Sequence, residues 1–211
     1  MSIFKYKIKP CYNQLVGIII FTIASLYLIN RLEPSFLRGI NSYNEITMKP
    51  ITMFGLILSS VILYFITPTT KLYDKISTLI VSISSIWLQL LVFFLCVVNS
   101  KLFNLFLNNN NNNNTLTLEY YPSLGTIFCF FLISCGGLIA LFNTANFVKR
   151  IRKIGILLFI MGGFGIIGNL FDIPILYYQS GFSNGMALIS SISIFLCGLG
   201  FYICNKQIVK T

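Results

Sequence analysis

The chain has 211 residues, of which 56% are hydrophobic and 9% charged, and its mean hydropathy is +0.83. Soluble domains carry about 25% charged residues, so this composition excludes a soluble enzyme, a disordered chain and a secreted disulfide scaffold. Histidine is absent, which removes imidazole bases and histidine-ligated metals. The net charge of +10 has two readings, nucleic-acid binding or membrane orientation, and the placement of the charges chooses between them.

Uncharged stretches run through Pro10–Asn30, Pro50–Thr70, Ile76–Ser100, Tyr120–Val148, Ile154–Phe171 and Ile173–Asn205. A helix rising about 1.5 Å per residue needs about 20 apolar residues to cross a hydrocarbon core of about 30 Å. These stretches predict an all-α, polytopic membrane bundle of six transmembrane helices, at 13–30, 50–67, 76–98, 124–142, 154–171 and 186–204. Residues 1–211 form a single integral membrane domain on this reading. The out/in alternation of a membrane barrel is missing from every stretch.

The first span follows Lys5, Lys7 and Lys9, a pattern shared by signal peptides and signal-anchors. Thr22 and Ala24 have cleavage-like spacing, but the apolar run continues to Ile29 and is flanked by Arg31. An uncleaved anchor is expected; cleavage would leave five spans. Pro34 marks the exit from this helix, and the loop beyond it carries Glu33, Arg38 and Glu45. In the second span Gly55 and Ser59 are two small residues one turn apart, a spacing that lets helices approach closely. Gly136/Ala140 and Ala187/Ser191 repeat it in the fourth and sixth spans.

The third span holds the only tryptophan, Trp87, and a polar outlier, Gln89. An amide in hydrocarbon needs a partner, so Gln89 is either helix glue, with a bond of about 0.6–2 kcal/mol, or an amide lining a solute path. After it comes the asparagine tract 108–114, which has no apolar surface with which to offset its ordering entropy and is expected to be disordered. Asn113-Asn114-Thr115 is the one N-x-Ser/Thr sequon, so Asn113 is a candidate glycosylation site on the outer side.

Between the fourth and fifth spans lies the basic cluster Lys149, Arg150, Arg152 and Lys153, which reads as a topology determinant able to meet anionic headgroups. The fifth span is rich in glycine. Gly162, Gly165 and Gly168 form a diagonal groove, read as a packing surface that places this helix at the centre of the bundle, or as the wall of a substrate path. Asp172 closes the span before Pro174 and reads as a polar helix end or an ion contact. The other carboxylates, Glu33, Glu45, Asp74 and Glu119, lie in predicted loops. None sits at a predicted midplane, which weighs against a proton-coupled pump.

The cysteines contain no C-x-x-C pair and predict no metal centre or cofactor. Cys96, Cys129, Cys135 and Cys197 read as small core residues, whereas Cys11 and Cys204 lie at the inner interface, where S-acylation occurs. Lys5, Lys7, Lys9, Lys71, Lys75, Lys149, Arg150, Arg152, Lys153, Lys206 and Lys210 fall on one side of the predicted bundle, against Arg31, Arg38, Lys49 and Lys101 on the other. The bias places both termini in the cytoplasm. Tyr120, Tyr121, Tyr177 and Tyr178 fall where an outer aromatic belt would lie. The basic residues are dispersed over short segments, so no nucleic-acid partner is expected. The expected partners are the lipid bilayer and other membrane subunits. The expected role is that of a non-enzymatic membrane organiser or accessory subunit, the alternative being a small-solute transporter or channel.

Overall fold

The computed structural model describes residues 12–32, 48–66, 72–106, 122–141, 147–179 and 185–208. Its elements are six helices: α1 (Tyr12–Leu32), α2 (Pro50–Phe65), α3 (Leu72–Phe106), α4 (Leu124–Leu141), α5 (Phe147–Phe171) and α6 (Leu188–Ile208). Helix is what hydrocarbon imposes, because it pairs backbone N–H and C=O groups within one segment. Local chemistry sets several of the ends. Pro50 opens α2 at a position where no N–H is needed, after an extended Lys49. Ser123 caps α4: its Oγ accepts from the Thr126 N–H at 3.1 Å. α5 ends at Asp172, which takes φ 52°, while the Ile173 N–H donates back to the Gly168 carbonyl at 2.9 Å. That pairing closes the helix as a Schellman motif does, with aspartate in the place usually held by glycine.

Four helices are long and apolar enough to cross a bilayer: Tyr12–Asn30, Tyr73–Leu95, Leu124–Leu141 and Lys149–Phe171. α2 and the Leu188–Ile203 part of α6 are shorter apolar helices. The chain is therefore a multi-pass, all-helical membrane protein. α3 and α5 outrun their predicted spans by the most. α3 extends from Leu72 to Phe106, because the apolar stretch marks only what lipid can hold and no Gly or Pro interrupts the chain between Pro68 and Pro122. α5 begins at Phe147, so the basic cluster forms its opening turns instead of a loop.

Consecutive helices run antiparallel. Asn13, near the start of α1, donates from Nδ2 to the Leu63 and Ile66 carbonyls at the end of α2. Ser85 of α3 meets Ser134 of α4, and Arg152 near the start of α5 meets Tyr202 near the end of α6. One end of the bundle thus gathers the starts of α1, α3 and α5 with the ends of α2, α4 and α6. Lys75, Lys149, Arg150, Arg152 and Lys153 lie at that end; Lys49 and Asp172 lie at the other.

The centre is α2 and α4, not α5. α2 packs against α1, α3, α4 and α6, α4 against α2, α3, α5 and α6, and α6 against α1, α2, α4 and α5. α6 is engaged mainly by α5, however, and α5 itself packs against α6 and α4. The glycines expected to centralise α5 instead bring it close to one neighbour. The buried core includes Ile20, Leu56, Ile62, Phe130, Ile133 and Phe201. Large apolar side chains such as Phe21, Ile80, Leu91, Phe94 and Leu170 face outward, the surface expected where the surrounding solvent is lipid.

Candidate functional site

The inward face of α3 is polar. Thr78, Ser82, Ser85 and Gln89 recur at four- and three-residue steps, which puts them on one helix face, and all are buried. Val92 completes the stripe. Ser82 lies opposite Gly137 of α4, where a methyl group would come within 2.2 Å of its Oγ. Ser134 Oγ lies 2.7 Å from Ser85 Oγ and 2.9 Å from the Phe130 carbonyl, joining α3 to α4. One turn further along sits Gln89, 1% exposed, with neither Oε1 nor Nε2 hydrogen-bonded. Its amide is the largest unmet polar group of the described interior; Asn13 Oδ1, Asn30 Oδ1, Ser82 Oγ and Ser193 Oγ are smaller cases.

Beside that amide a half-open groove of about 350 Å³ runs between α3 and α4. It is lined by Gln89, Leu90 and Phe93 from α3 and by Leu124, Ile127, Phe128 and Phe131 from α4. Gln89 and Ile127 are buried and form the floor; the other five are exposed and form the rim. Every wall except Gln89 is apolar. The rim belongs to the outward face of both helices, so the groove opens toward the surrounding lipid. Trp87 is exposed on α3 and is not among the lining residues.

The α5 glycines lie elsewhere. A methyl group on Gly162 would sit 2.5 Å from the backbone nitrogen of Phe195 on α6, and one on Gly165 would sit 2.5 Å from Ser191 Oγ. Gly168 is covered by Leu176 and Tyr177 of the following turn. These three therefore face packed protein, away from Gln89. Asp172 is exposed at the α5 terminus, where its Oδ1 accepts from the Tyr177 phenol at 3.4 Å. The structure does not bring Gln89, the glycines and Asp172 together. Asn113 and the tract 108–114 lie outside the described residues, as do Cys11 and the side chain of Cys204. Among the described residues no three Cys, Asp or Glu side chains gather as metal ligands would.

The segment after α5 departs from the expected aromatic belt. Tyr177 is buried, with its phenol 2.8 Å from Gln179 Oε1. Tyr178, at φ 60°, turns back over Gly125 of α4, and its phenol donates to the Met161 carbonyl at 3.1 Å. Burial, followed by the nearby Cys129 thiol, pushes that phenol up to about 12. Asn169 fastens the same region: its Nδ2 reaches the Gly165 carbonyl at 2.7 Å and the Met186 carbonyl at 2.9 Å. Asn13 and Asn169 were legible as amides within apolar runs, the signal that singled out Gln89. The inward turn of Tyr178 has no counterpart in the residue pattern.

Comparison of the chain with known protein families, with curated proteins and with solved structures gives no match.

Proposed function

We propose that this protein is a non-enzymatic membrane organiser or accessory subunit, with all six helices crossing the bilayer and both termini in the cytoplasm. The observation that supports this role is the use made of interior polarity. Asn13, Ser134 and Asn169 spend their side chains on neighbouring helices or turns, and the α5 glycines are filled by α6 and the turn after α5. Such an interior holds helices in register, as interhelical hydrogen bonds and small residues do in membranes. The end that carries Lys75 and Lys149–Lys153 faces the cytoplasm by the positive-inside rule. That orientation carries Asn113 to the outer side.

Purification of the intact protein in mild detergent tests the role. A defined membrane partner at fixed stoichiometry supports it; a protein that migrates alone at every detergent concentration opposes it. The topology has its own test. A tag after Thr211 should resist protease added outside intact cells, and Asn113 should accept glycan; an accessible tag rejects the six-span arrangement. A second reading, small-solute transport, draws on the α3 stripe, where Ser82 Oγ and the Gln89 amide lack partners. Solute flux into reconstituted vesicles that Gln89→Leu abolishes would favour it over the first.

A further inference from the structure

We propose that the α3–α4 groove is a binding site for a neutral, hydroxyl-bearing lipid of the sterol or long-chain-alcohol class, whose hydroxyl pairs with the Gln89 amide. The proposal uses the multi-pass membrane character of the chain and is independent of the organiser role.

The amide sets the polar requirement. Gln89 is 1% exposed, and both its acceptor Oε1 and its donor Nε2 lack partners. Hydrocarbon tails cannot supply one, and an unmet amide in an apolar medium is strongly disfavoured. A hydroxyl donates as well as accepts, so it can donate to Oε1, which the ester or ether oxygen of another lipid cannot do. The walls set the rest of the ligand. Ile127 shares the floor, while Leu90, Phe93, Phe128 and Phe131 form most of the rim, all apolar. None of the lining residues is charged, so an ionic headgroup at this depth would have no counter-charge among them.

Size and depth agree. The groove measures about 350 Å³, against the ~150 Å³ of a cavity that takes benzene, so it admits a ring system or a length of chain. Gln89 lies six residues inside Leu95, where the apolar span of α3 ends, or roughly 9 Å along the axis. A single hydroxyl on an apolar body can enter at that depth, where an ionic headgroup is disfavoured, with the body against the aromatic rim. A partner helix fits less well. At about 10–12 Å across it can lie along the rim, and only a polar side chain placed opposite Gln89 would answer the amide.

Photolabelling of the full-length protein in phosphatidylcholine nanodiscs tests the site. The probes are a diazirine-bearing sterol with a free hydroxyl, the same sterol as its methyl ether, and a phosphatidylcholine with the diazirine in its acyl chain. The free-hydroxyl sterol should label the peptides that carry residues 89–93 and 124–131. The methyl ether, which cannot donate, should label them about tenfold less, as loss of a hydrogen bond in an apolar site implies. Gln89→Leu should lower free-sterol labelling by about the same factor, and Ile127→Trp, which fills the floor, should remove it. The comparison of hydroxyl with ether uses the unaltered chain, so it stands even if a variant fails to fold. Equal labelling by sterol and ether overturns the proposal, as does phosphatidylcholine labelling of the groove at the sterol's level. Cross-linked dimers through α3 without sterol labelling would assign the groove to a second copy and overturn it as well. Whether a membrane partner co-purifies bears on the organiser role and leaves these outcomes unchanged.

Discussion

The α5–α6 contact offers a sharp perturbation, because two adjacent glycines meet the same aromatic residue at different distances. A methyl group at Gly162 would lie 2.5 Å from the Phe195 nitrogen and 2.8 Å from its Cα. Carbon contacts are comfortable from about 3.5 Å, so Gly162→Ala must part the helices by roughly 1 Å, and a gap of that size forfeits about a quarter to a half of the dispersion energy across it. The obstacle is backbone, which cannot swing aside as a side chain can. Overpacking of this kind costs about 1–3 kcal/mol. At Gly163 the added methyl would meet only the Phe195 ring, at 3.9 Å, an ordinary contact. Both substitutions gain the same helix propensity, about 1 kcal/mol over glycine, and that gain cancels between them. Gly162→Ala should therefore be less stable than Gly163→Ala by about 1–3 kcal/mol. Reversible unfolding in mixed micelles, titrated with SDS and followed by the loss of a fluorescence pair on α5 and α6, measures the difference. Equal stability, or a more stable Gly162→Ala, would refute the packing argument.

Asn13→Leu removes the donor shared by the Leu63 and Ile66 carbonyls and should cost about 1 kcal/mol in the same titration. Ser134→Ala and Ser85→Ala break one contact between α3 and α4; each should cost about 0.6 kcal/mol, and the double variant should fall short of their sum. Tyr178 carries a pH signature. Its phenol titrates at about 12 in the fold, against about 10 in an unfolded chain, so its contribution is complete below pH 10 and is lost as the pH climbs through 12. Stability measured from pH 9 to 12 should fall more steeply in the native protein than in Tyr178→Phe; parallel curves would remove this role.

The positions of the helices were legible because hydropathy reports the solvent. The predicted 13–30, 124–142 and 50–67 lie within two residues of the ends of α1, α4 and α2. The stripe on α3 was only partly visible: Gln89 stood out, while Thr78, Ser82 and Ser85 passed as ordinary helix residues. Their common face follows from 3.6-residue geometry, but what covers that face depends on α4, some fifty residues away. The same limit applied to α5. Glycine spacing announces a close approach without naming the neighbour, and here α6 lies against Gly155, Gly162 and Gly165 while the following turn covers Gly168. Tyr178 was hidden for a different reason. A tyrosine after a helix end usually meets the headgroups, and only the left-handed backbone at Asp172 and Tyr178 turns the chain inward.

The contact between α1 and α6 fixes an order of assembly. The pairs α1/α2, α3/α4 and α5/α6 join segments close in the chain, and each can meet soon after its second member is made. α6, however, also packs against α1 and α2, where Val16 and Leu63 respectively cover Gly200. That surface of the first hairpin has only lipid to face until synthesis has passed the last helix. A ribosome stalled before Leu188 therefore leaves the bundle open along one side, with the first hairpin's α6-facing surface available to quality-control factors that patrol the bilayer.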